Sequence, residues 1–317
     1  MGTVAVLGAG IAGVTISHLL RQKGHDITLF DKARGSGGRL SSRYTSWGTV
    51  DHGTPFFTVT LPEVNAFLRP FQQDGTLVSW GARVSRISQQ HTSTVEETYL
   101  VPVPSTAMLT KRIMGDTPLL KETRIAALLP CASGYQLRDT VGLLHGPFER
   151  VVITAPAPQT AELLNGVSDL VLAVDQAEMA CCWVGVFEHV EAPGVTADVM
   201  LCDDEVLKRV VRCERKPGRV PYATWQVQAQ TAWSWQQKDQ APHRVLRTLE
   251  AALLARLGLV SFSYEQAWAH RWLYGFTAQP VGTPCLYQDG IGVCGDWLHG
   301  PSVEDAIRSA MALAEIM

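Results

Sequence analysis

Val4-Ala-Val-Leu-Gly8-Ala-Gly10-Ile-Ala-Gly13 is an apolar run that breaks into G-x-G-x-x-G, and Asp26-Ile-Thr-Leu-Phe30-Asp31 is a second apolar run ending in an acid. Val4 to Leu7 is short and wholly apolar, the pattern of a strand buried on both faces of a parallel sheet. Gly8 permits the tight turn out of that strand, Gly10 lets backbone approach a pyrophosphate, and Gly13 lets the next helix pack close. Ile11 and Ala12 stand in the first helical turn, where free N–H groups and the helix dipole favour phosphate oxygens. The spacing predicts a helix from Ile11 to Gln22, with Val14, Ile16, Leu19 and Leu20 on its packing face and an end at Lys23-Gly24. The second strand delivers Asp31, followed by Lys32, where a carboxylate accepts hydrogen bonds from an adenosine ribose. An acid there suits an unphosphorylated ribose, as in FAD or NAD, and the fingerprint alone does not choose between them.

The next motif narrows that choice. Gly37-Gly38-Arg39-Leu-Ser-Ser-Arg43 puts a guanidinium behind a flexible glycine pair, where its fork can clamp a pyrophosphate. The segment from Phe30 to Arg43 resembles the second half of the FAD signature of the flavin amine oxidase superfamily, and most of all its bacterial renalase branch. The same resemblance runs through Gly146-Pro-Phe148, Val152-Ile-Thr-Ala-Pro-Ala-Pro158, Ala269-His-Arg-Trp-Leu-Tyr274 and Val293-Cys-Gly-Asp-Trp297. His270 to Tyr274 is the stretch most particular to the renalase-like branch. Arg34 and Arg43 are equally readable as surface charges.

The fold class implied is α/β: a Rossmann-type FAD-binding domain interwoven with a smaller mixed-sheet substrate domain, as in amine oxidases and p-hydroxybenzoate hydroxylase. Residues 1–60, 100–158 and 276–317 are assigned to the FAD-binding domain, and 61–99 and 159–275 to the substrate domain. The pattern predicts a helix near Thr106–Met114, strands at Thr123–Leu129, Tyr135–Arg138, Phe148–Ala155, Met179–Phe187 and Ala223–Gln230, and an amphipathic helix at Pro242–Leu257. Lys216-Pro-Gly-Arg-Val-Pro221 reads as a spacer loop. Gly290-Ile-Gly-Val-Cys-Gly295-Asp296 reads as a buried strand ending in Gly-Asp. Ser302-Val-Glu-Asp305 resembles a capping box that opens a helix reaching Met317.

The resemblance implies noncovalent FAD, contacted by Gly8, Gly10, Ile11, Ala12, Gly13, Asp31, Lys32, Gly38, Arg39, Gly53, Thr54, Ile125, Ala155, Gly295, Asp296 and Val303. It further implies an oxidase that converts misreduced dihydronicotinamide isomers of NAD(P)H to NAD(P)+, with O2 reduced to hydrogen peroxide. Such a reaction needs a flat aromatic pocket rather than a strong base, and Phe56, Trp272, Tyr274 and Trp297 are the aromatic candidates. His270 and Arg271 are candidates for substrate contact, each equally readable as structural. Trp225, Trp233, Trp235 and Trp268 are assigned to core or interface. One departure stands out: Asp51-His-Gly-Thr-Pro-Phe-Phe57 has Pro55 and Phe56 where the family usually carries Gln and Tyr. Substrate recognition is therefore expected to differ. Amine oxidases of the superfamily place a lysine near the flavin, and neither Lys111 nor Lys121 sits in a recognisable site motif. An amine oxidase, a small-molecule desaturase and a non-catalytic flavin-binding protein remain alternatives.

Composition sets the outer bounds. The 317 residues carry a net charge of −3 with no basic block, so no nucleic-acid partner is expected. Seven cysteines without a C-x-x-C argue against a zinc site or a secreted disulfide framework, and point to reduced thiols in a cytoplasmic protein. Cys181 and Cys182, adjacent in a predicted strand, are expected on opposite faces. Met1 to Leu20 lacks a basic leader segment, and no run is long enough to span a membrane.

Overall fold

A computed structural model describes residues 2–87, 92–191, 194–219 and 221–317. Its first layer is a six-stranded sheet in the order Leu286–Gln288, Ile291–Val293, Arg150–Ile153, Thr3–Leu7, Asp26–Phe30, Leu119–Leu120. All neighbours are parallel except the edge pair Leu286–Gln288 and Ile291–Val293. Thr3–Leu7 lies at the centre, which is why Val4 to Leu7 is apolar throughout. Alternation sends Val4 and Val6 into one apolar layer with Val14, Ile16, Leu20, Ile307 and Leu313. Ala5 and Leu7 point into the opposite layer with Val151, Ile153 and Trp297. The first layer holds the helix Ile11–Gln22 against the C-terminal helix Val303–Ile316.

The second main layer is a seven-stranded sheet, in the order Gln266–Gln279, Glu178–Glu188, Thr224–Ala229, Leu207–Arg212, Val199–Cys202, Leu77–Ile87, Thr92–Pro102. It is antiparallel apart from the pair Val199–Cys202 and Leu77–Ile87. The helix Pro242–Leu257 covers one face through Val245, Leu249 and Leu253, packed with Phe187, Trp225 and Val227. The other face, with Cys182, Val184 and Val186, turns toward Val50 and the candidate site. A three-stranded meander (Ile125–Cys131, Gly134–Asp139, Leu144–Phe148) and a hairpin (Ser42–Thr45 with Gly48–Asp51) complete the sheets.

The first helix and first two strands fall where the pattern places them. Two boundaries move. The strand read over Phe148–Ala155 divides, because Phe148 ends one strand and Arg150–Ile153 forms the next. The strand read from Thr123 begins at Ile125. Of the seven cysteines, six are buried and Cys131 is exposed. No helix of the described residues is long and apolar enough to cross a membrane, and no group of three or more His, Cys, Asp or Glu among them is placed to hold a metal ion.

Candidate cofactor and substrate site

The glycine-rich turn has the geometry that a dinucleotide phosphate needs. Gly8 has φ +111°, a conformation that favours glycine. A Cβ on Gly13 would come within 1.9 Å of the Gly8 carbonyl oxygen, so the helix packs as closely as it does only because Gly13 has no side chain. Gly10 is the N-cap of the Ile11–Gln22 helix and brings no side-chain cap, leaving the first-turn amides of Ile11, Ala12 and Gly13 available to an anion. A Cβ on Gly10 would meet nothing of this chain nearer than the Gly38 Cα at 3.8 Å, so the open space over the turn is bounded by the second glycine motif. The Asp31 carboxylate accepts from the amides of Ala9 (2.7 Å) and Ala33 (2.8 Å), which fixes it at the lip of the turn. Lys32 reaches outward to Gln159 at 3.5 Å. These features fit the adenosine and pyrophosphate of a dinucleotide.

Arg39 and Asp296, read from sequence as separate cofactor contacts, meet each other. Arg39 donates through Nη1 to Asp296 Oδ2 at 2.7 Å and through Nη2 to Oδ1, and Thr277 Oγ1 adds a bond to Oδ2 at 2.9 Å. Burial works against the guanidinium charge, but Asp296 outweighs it and raises the Arg39 pKa. The fork assigned to pyrophosphate is thus engaged by Asp296, because both groups are drawn from water at the same seam and each neutralises the other. Gly295 N donates to Ser309 Oγ, tying the Gly-Asp turn to the C-terminal helix. Ala155 O accepts from Thr160 and from the Trp297 indole. Ile125 is buried in the layer beneath Phe30.

Between the two main sheets lies a cavity of about 260 Å³. Arg39, Gly53, Thr54, Pro301, Ser302 and Val303 form one side. The N-terminus of the helix Val303–Ile316 opens there, held by a reciprocal capping box between Ser302 and Asp305. Gly53 and Thr54 form a ledge pinned from several directions. Thr54 N donates to Arg39 O (2.8 Å), Gln226 Nε2 to Gly53 O (2.8 Å), and Trp272 Nε1 to His52 O (2.9 Å). A Cβ on Gly53 would collide with Arg39 O at 2.1 Å, so glycine is required for this close approach.

Beneath the ledge, Asp51 is fully buried between two cations. Its Oδ2 accepts from Lys216 Nζ (2.5 Å) and from Arg219 Nε and Nη2 (2.9 and 2.7 Å), while Oδ1 accepts from Thr106 N, Thr106 Oγ1 and Ser42 Oγ. Burial pushes its pKa upward, but the Lys216 and Arg219 charges hold it well below the usual carboxylate range. The segment read as a spacer loop, Lys216 to Pro221, is therefore an anchor. Its Pro and Gly signals describe the backbone turn correctly and say nothing of where the two charges go.

The opposite wall of the cavity comes from the seven-stranded sheet, through Tyr99, Cys182, Arg209, Gln228 and Phe276 with Trp272 at the side, and from Phe56 in the loop after Asp51. Phe56 stacks on Tyr99 with centroids 4.0 Å apart. Of the pocket candidates, Phe56 and Trp272 line the cavity. His270 lies just behind, its ring 4.5 Å from Trp272 and 4.9 Å from His52. Trp297 does not line it: the side chain is fully buried in the layer under the central sheet. Arg271 turns to the other face of its strand, donating to Lys238 O beside Asp239, because alternation separates it from His270 and Trp272. Tyr274 is half-buried and outside the lining.

Tyr99, Arg209, Gln228 and Phe276 were missed in the sequence. The signal for Arg209 was present, since Leu207-Lys-Arg-Val-Val-Arg212 places two adjacent cations, with a third at Arg212, in a strand whose other residues are apolar. Cys181 and Cys182 lie on opposite faces, as alternation requires, and burial pushes the Cys182 thiol up to about 12, so it is neutral at neutral pH.

Comparison with known proteins places these features in a wider group. Residues 6–71 match the NAD(P)-binding Rossmann-like domain. Coproporphyrinogen III oxidase of Mycobacterium tuberculosis is 33% identical over 198 residues, covering 54% of this chain and 44% of the relative. Hydroxyneurosporene desaturase of Rubrivivax gelatinosus is 45% identical over 56 residues, 18% of this chain and 11% of the relative. Less than half the length of these curated relatives is thus matched. Among solved structures, one assigned as a protoporphyrinogen oxidase from Exiguobacterium superposes with a TM-score of 0.79 at 11% identity, covering 99% of this chain and 98% of the other. Cyclohexylamine oxidase from Brevibacterium oxydans does so with a TM-score of 0.77 at 11% identity and the same coverage. The chain carries an NAD(P)-binding Rossmann-like domain within a mixed α/β architecture, and that architecture is the fold of the flavin amine oxidase-like structures.

Proposed function

We propose that the protein is a flavin-dependent oxidoreductase that binds FAD noncovalently and oxidises dihydronicotinamide isomers of NAD(P)H reduced at the wrong ring carbon, as a renalase-like enzyme. Segments 1–60, 100–158 and 276–317 would hold the cofactor, and 61–99 and 159–275 the substrate. The amides of Ile11, Ala12 and Gly13 and the Asp31 carboxylate suit the adenosine diphosphate end. The Gly53–Thr54 ledge and the N-terminus of the helix Val303–Ile316 suit the redox-active ring, where the dipole stabilises negative charge. When bound, the flavin accepts a hydride and passes two electrons to O2, so that dihydronicotinamide, O2 and one proton give NAD(P)+ and H2O2.

One observation carries this reading. Among the described residues the cavity wall holds aromatic rings, amides, a neutral thiol and the guanidinium groups of Arg39 and Arg209, but no carboxylate and no imidazole. Such a wall can stack and orient a flat ring, and it offers no strong base. A dihydropyridine needs none, because aromatisation drives hydride loss without a proton leaving the reacting carbon. Arg209 on the same wall, with the Lys208 ammonium behind it against Phe276, disfavours a protonated amine, which separates this reading from amine oxidation on the same fold.

Anaerobic mixing of the flavin-loaded protein with the isomers, with ordinary NADH and with a primary-amine panel tests the assignment. Rapid bleaching by the isomers alone, and peroxide on readmitting air, is the expected result. Bleaching by amines alone, or by none of the panel, overturns it.

A further inference from the structure

The strand Leu207–Arg212 carries a β-bulge. Leu207 pairs with Ala229 and Arg209 with Gln228, so Lys208 is the extra residue. A regular strand would send Lys208 and Arg209 to opposite faces. Here both reach the cavity side. Arg209 lines the cavity, with its guanidinium carbon 4.9 Å from the Phe56 ring centre. The Lys208 ammonium stands 4.0 Å from the centre of Phe276, another lining residue.

Elsewhere at this site each buried cation has a carboxylate: Arg39 has Asp296, and Lys216 and Arg219 share Asp51. Among the described residues, Lys208 and Arg209 form no ion pair. Arg209 donates through Nε (3.0 Å) and Nη2 (2.5 Å) to the same neutral oxygen, Gln228 Oε1. Its acidic neighbours are the Cys182 thiol and the Tyr99 phenol, both neutral at neutral pH. Glu97, which accepts from the Tyr99 hydroxyl, is already paired with Arg86. Burial lowers the Arg209 pKa only to about 10, so its guanidinium remains charged at neutral pH without a counter-ion, and burial together with Arg209 lowers the pKa of Lys208. An uncompensated pair of this kind is costly to keep, and a bulge that re-aims a side chain is a device found beside functional sites.

We infer that Arg209 and Lys208, with Gln228 orienting the guanidinium, form an oxyanion subsite in the cavity wall that binds a carboxylate or phosphate group of the substrate. Gln228 holds one edge of the fork, leaving Nη1 to donate to an anion, and the Lys208 ammonium adds a second positive charge. The subsite deepens the function proposed above, since a dihydronicotinamide dinucleotide carries phosphates. It stands on the placement of the two cations, whatever the reaction proves to be.

The test is a binding titration of flavin-loaded protein, read by the flavin difference spectrum and by tryptophan fluorescence, so that it does not depend on turnover. Nicotinate against nicotinamide isolates a carboxylate at constant shape, and nicotinamide mononucleotide against its riboside isolates a phosphate. In at least one pair the anion should bind about ten-fold or more tightly than its neutral partner, about 1.4 kcal/mol. That preference should collapse in Arg209→Gln and survive in part in Arg209→Lys. Gln228→Glu supplies the missing counter-charge from within, so it should fold at least as well as the wild type and also lose the preference. This variant keeps the test decisive if Arg209→Gln does not fold. Absence of charge preference in the wild type, or its persistence in Gln228→Glu, overturns the subsite. Failure of the isomers to bleach the flavin would leave this result standing and remove only the assigned reaction.

Discussion

The two sides of the site are built in opposite ways. On the nucleotide side, recognition lies in backbone: Gly8, Gly10 and Gly13 shape a turn within six residues, and the groups that would meet a phosphate are amides. On the substrate side, recognition lies in side chains brought from far apart. Asp51 meets Lys216 and Arg219 across 165 and 168 positions, and Phe56 meets Tyr99 and Arg209 from two separate strands. The first side can keep its chemistry under broad change elsewhere in the chain. The second depends on charge pairs and packing that only the complete fold assembles.

Removing the charge that joins the two sides should break this contrast most severely. Asp51→Asn leaves Lys216 and Arg219 buried without a carboxylate, and we expect a loss of about 3–5 kcal/mol in denaturant unfolding. The pH dependence follows the same carboxylate. Its folded pKa lies below the unfolded value, so its stabilisation is complete above about pH 4 and is lost as pH falls below that. The variant's stability should therefore be flatter in that acid range. Equal stability of variant and wild type would mean that the ledge is not held by this pair.

A second variant separates acid sensitivity in a different window. His52 lies under the ledge with its ring stacked on Trp272, and burial, with His270 adding to it, lowers its pKa to about 4. Unfolded histidine titrates near 6.5, so the unfolded chain gains a proton first as pH falls. Stability should drop between about pH 6.5 and 4, by roughly 2–3 kcal/mol from this group. His52→Gln should reduce that slope, leaving the part that His18 and His270, whose pKa values burial also lowers, contribute, and should leave the lower, Asp51-dependent slope in place. A slope that persists unchanged would place the titration elsewhere.

Gly10→Ala tests the backbone side without disturbing the fold. Gly10 has φ −75°, which alanine adopts freely, and a Cβ would meet only the Gly38 Cα at 3.8 Å. Stability should be nearly unchanged, while flavin affinity should weaken about ten-fold or more if a pyrophosphate approaches the bare backbone, a cost of about 1.4 kcal/mol. Unaltered flavin affinity in the variant would show that the phosphates lie elsewhere.

The same contrast explains what the sequence disclosed. The strand, turn, helix and acid from Val4 to Asp31 are legible because each residue's reason is local: apolar for a buried strand, glycine for a turn, acid at a strand end. Gly53 and Arg39 are found by resemblance, although the pairing of Arg39 with Asp296 spans 257 positions and has no local trace. Trp297 was misplaced because an aromatic residue suits a core as well as a pocket, and only topology decides which it joins. Arg271 was misplaced for a simpler reason: within His270–Tyr274 the register decides which side chains face the cavity, and register is fixed by the partner strand. The adjacent charges of Lys208 and Arg209 are visible in the strand, but the face they take depends on a bulge, which shifts one strand against another and leaves no mark in either alone.

The smallest expected effect lies where the two modes meet. The N-terminus of the helix Val303–Ile316 is specified locally, by Ser302 accepting from Asp305 N (3.0 Å) and Asp305 accepting from Ser302 N (3.0 Å). It nevertheless closes the cavity opposite the assembled wall. Ser302→Ala removes one half of this box and should cost about 1 kcal/mol in unfolding. The helix core, with Ile307, Ala310 and Leu313 fully buried, should hold the remaining turns in place. The cap loss should therefore remain local, and flavin affinity should fall by no more than a few-fold. A large loss of affinity with the small loss of stability would mean that the Ser302 hydroxyl itself contacts the cofactor, and the helix end would then belong with the side-chain wall rather than with the backbone turn.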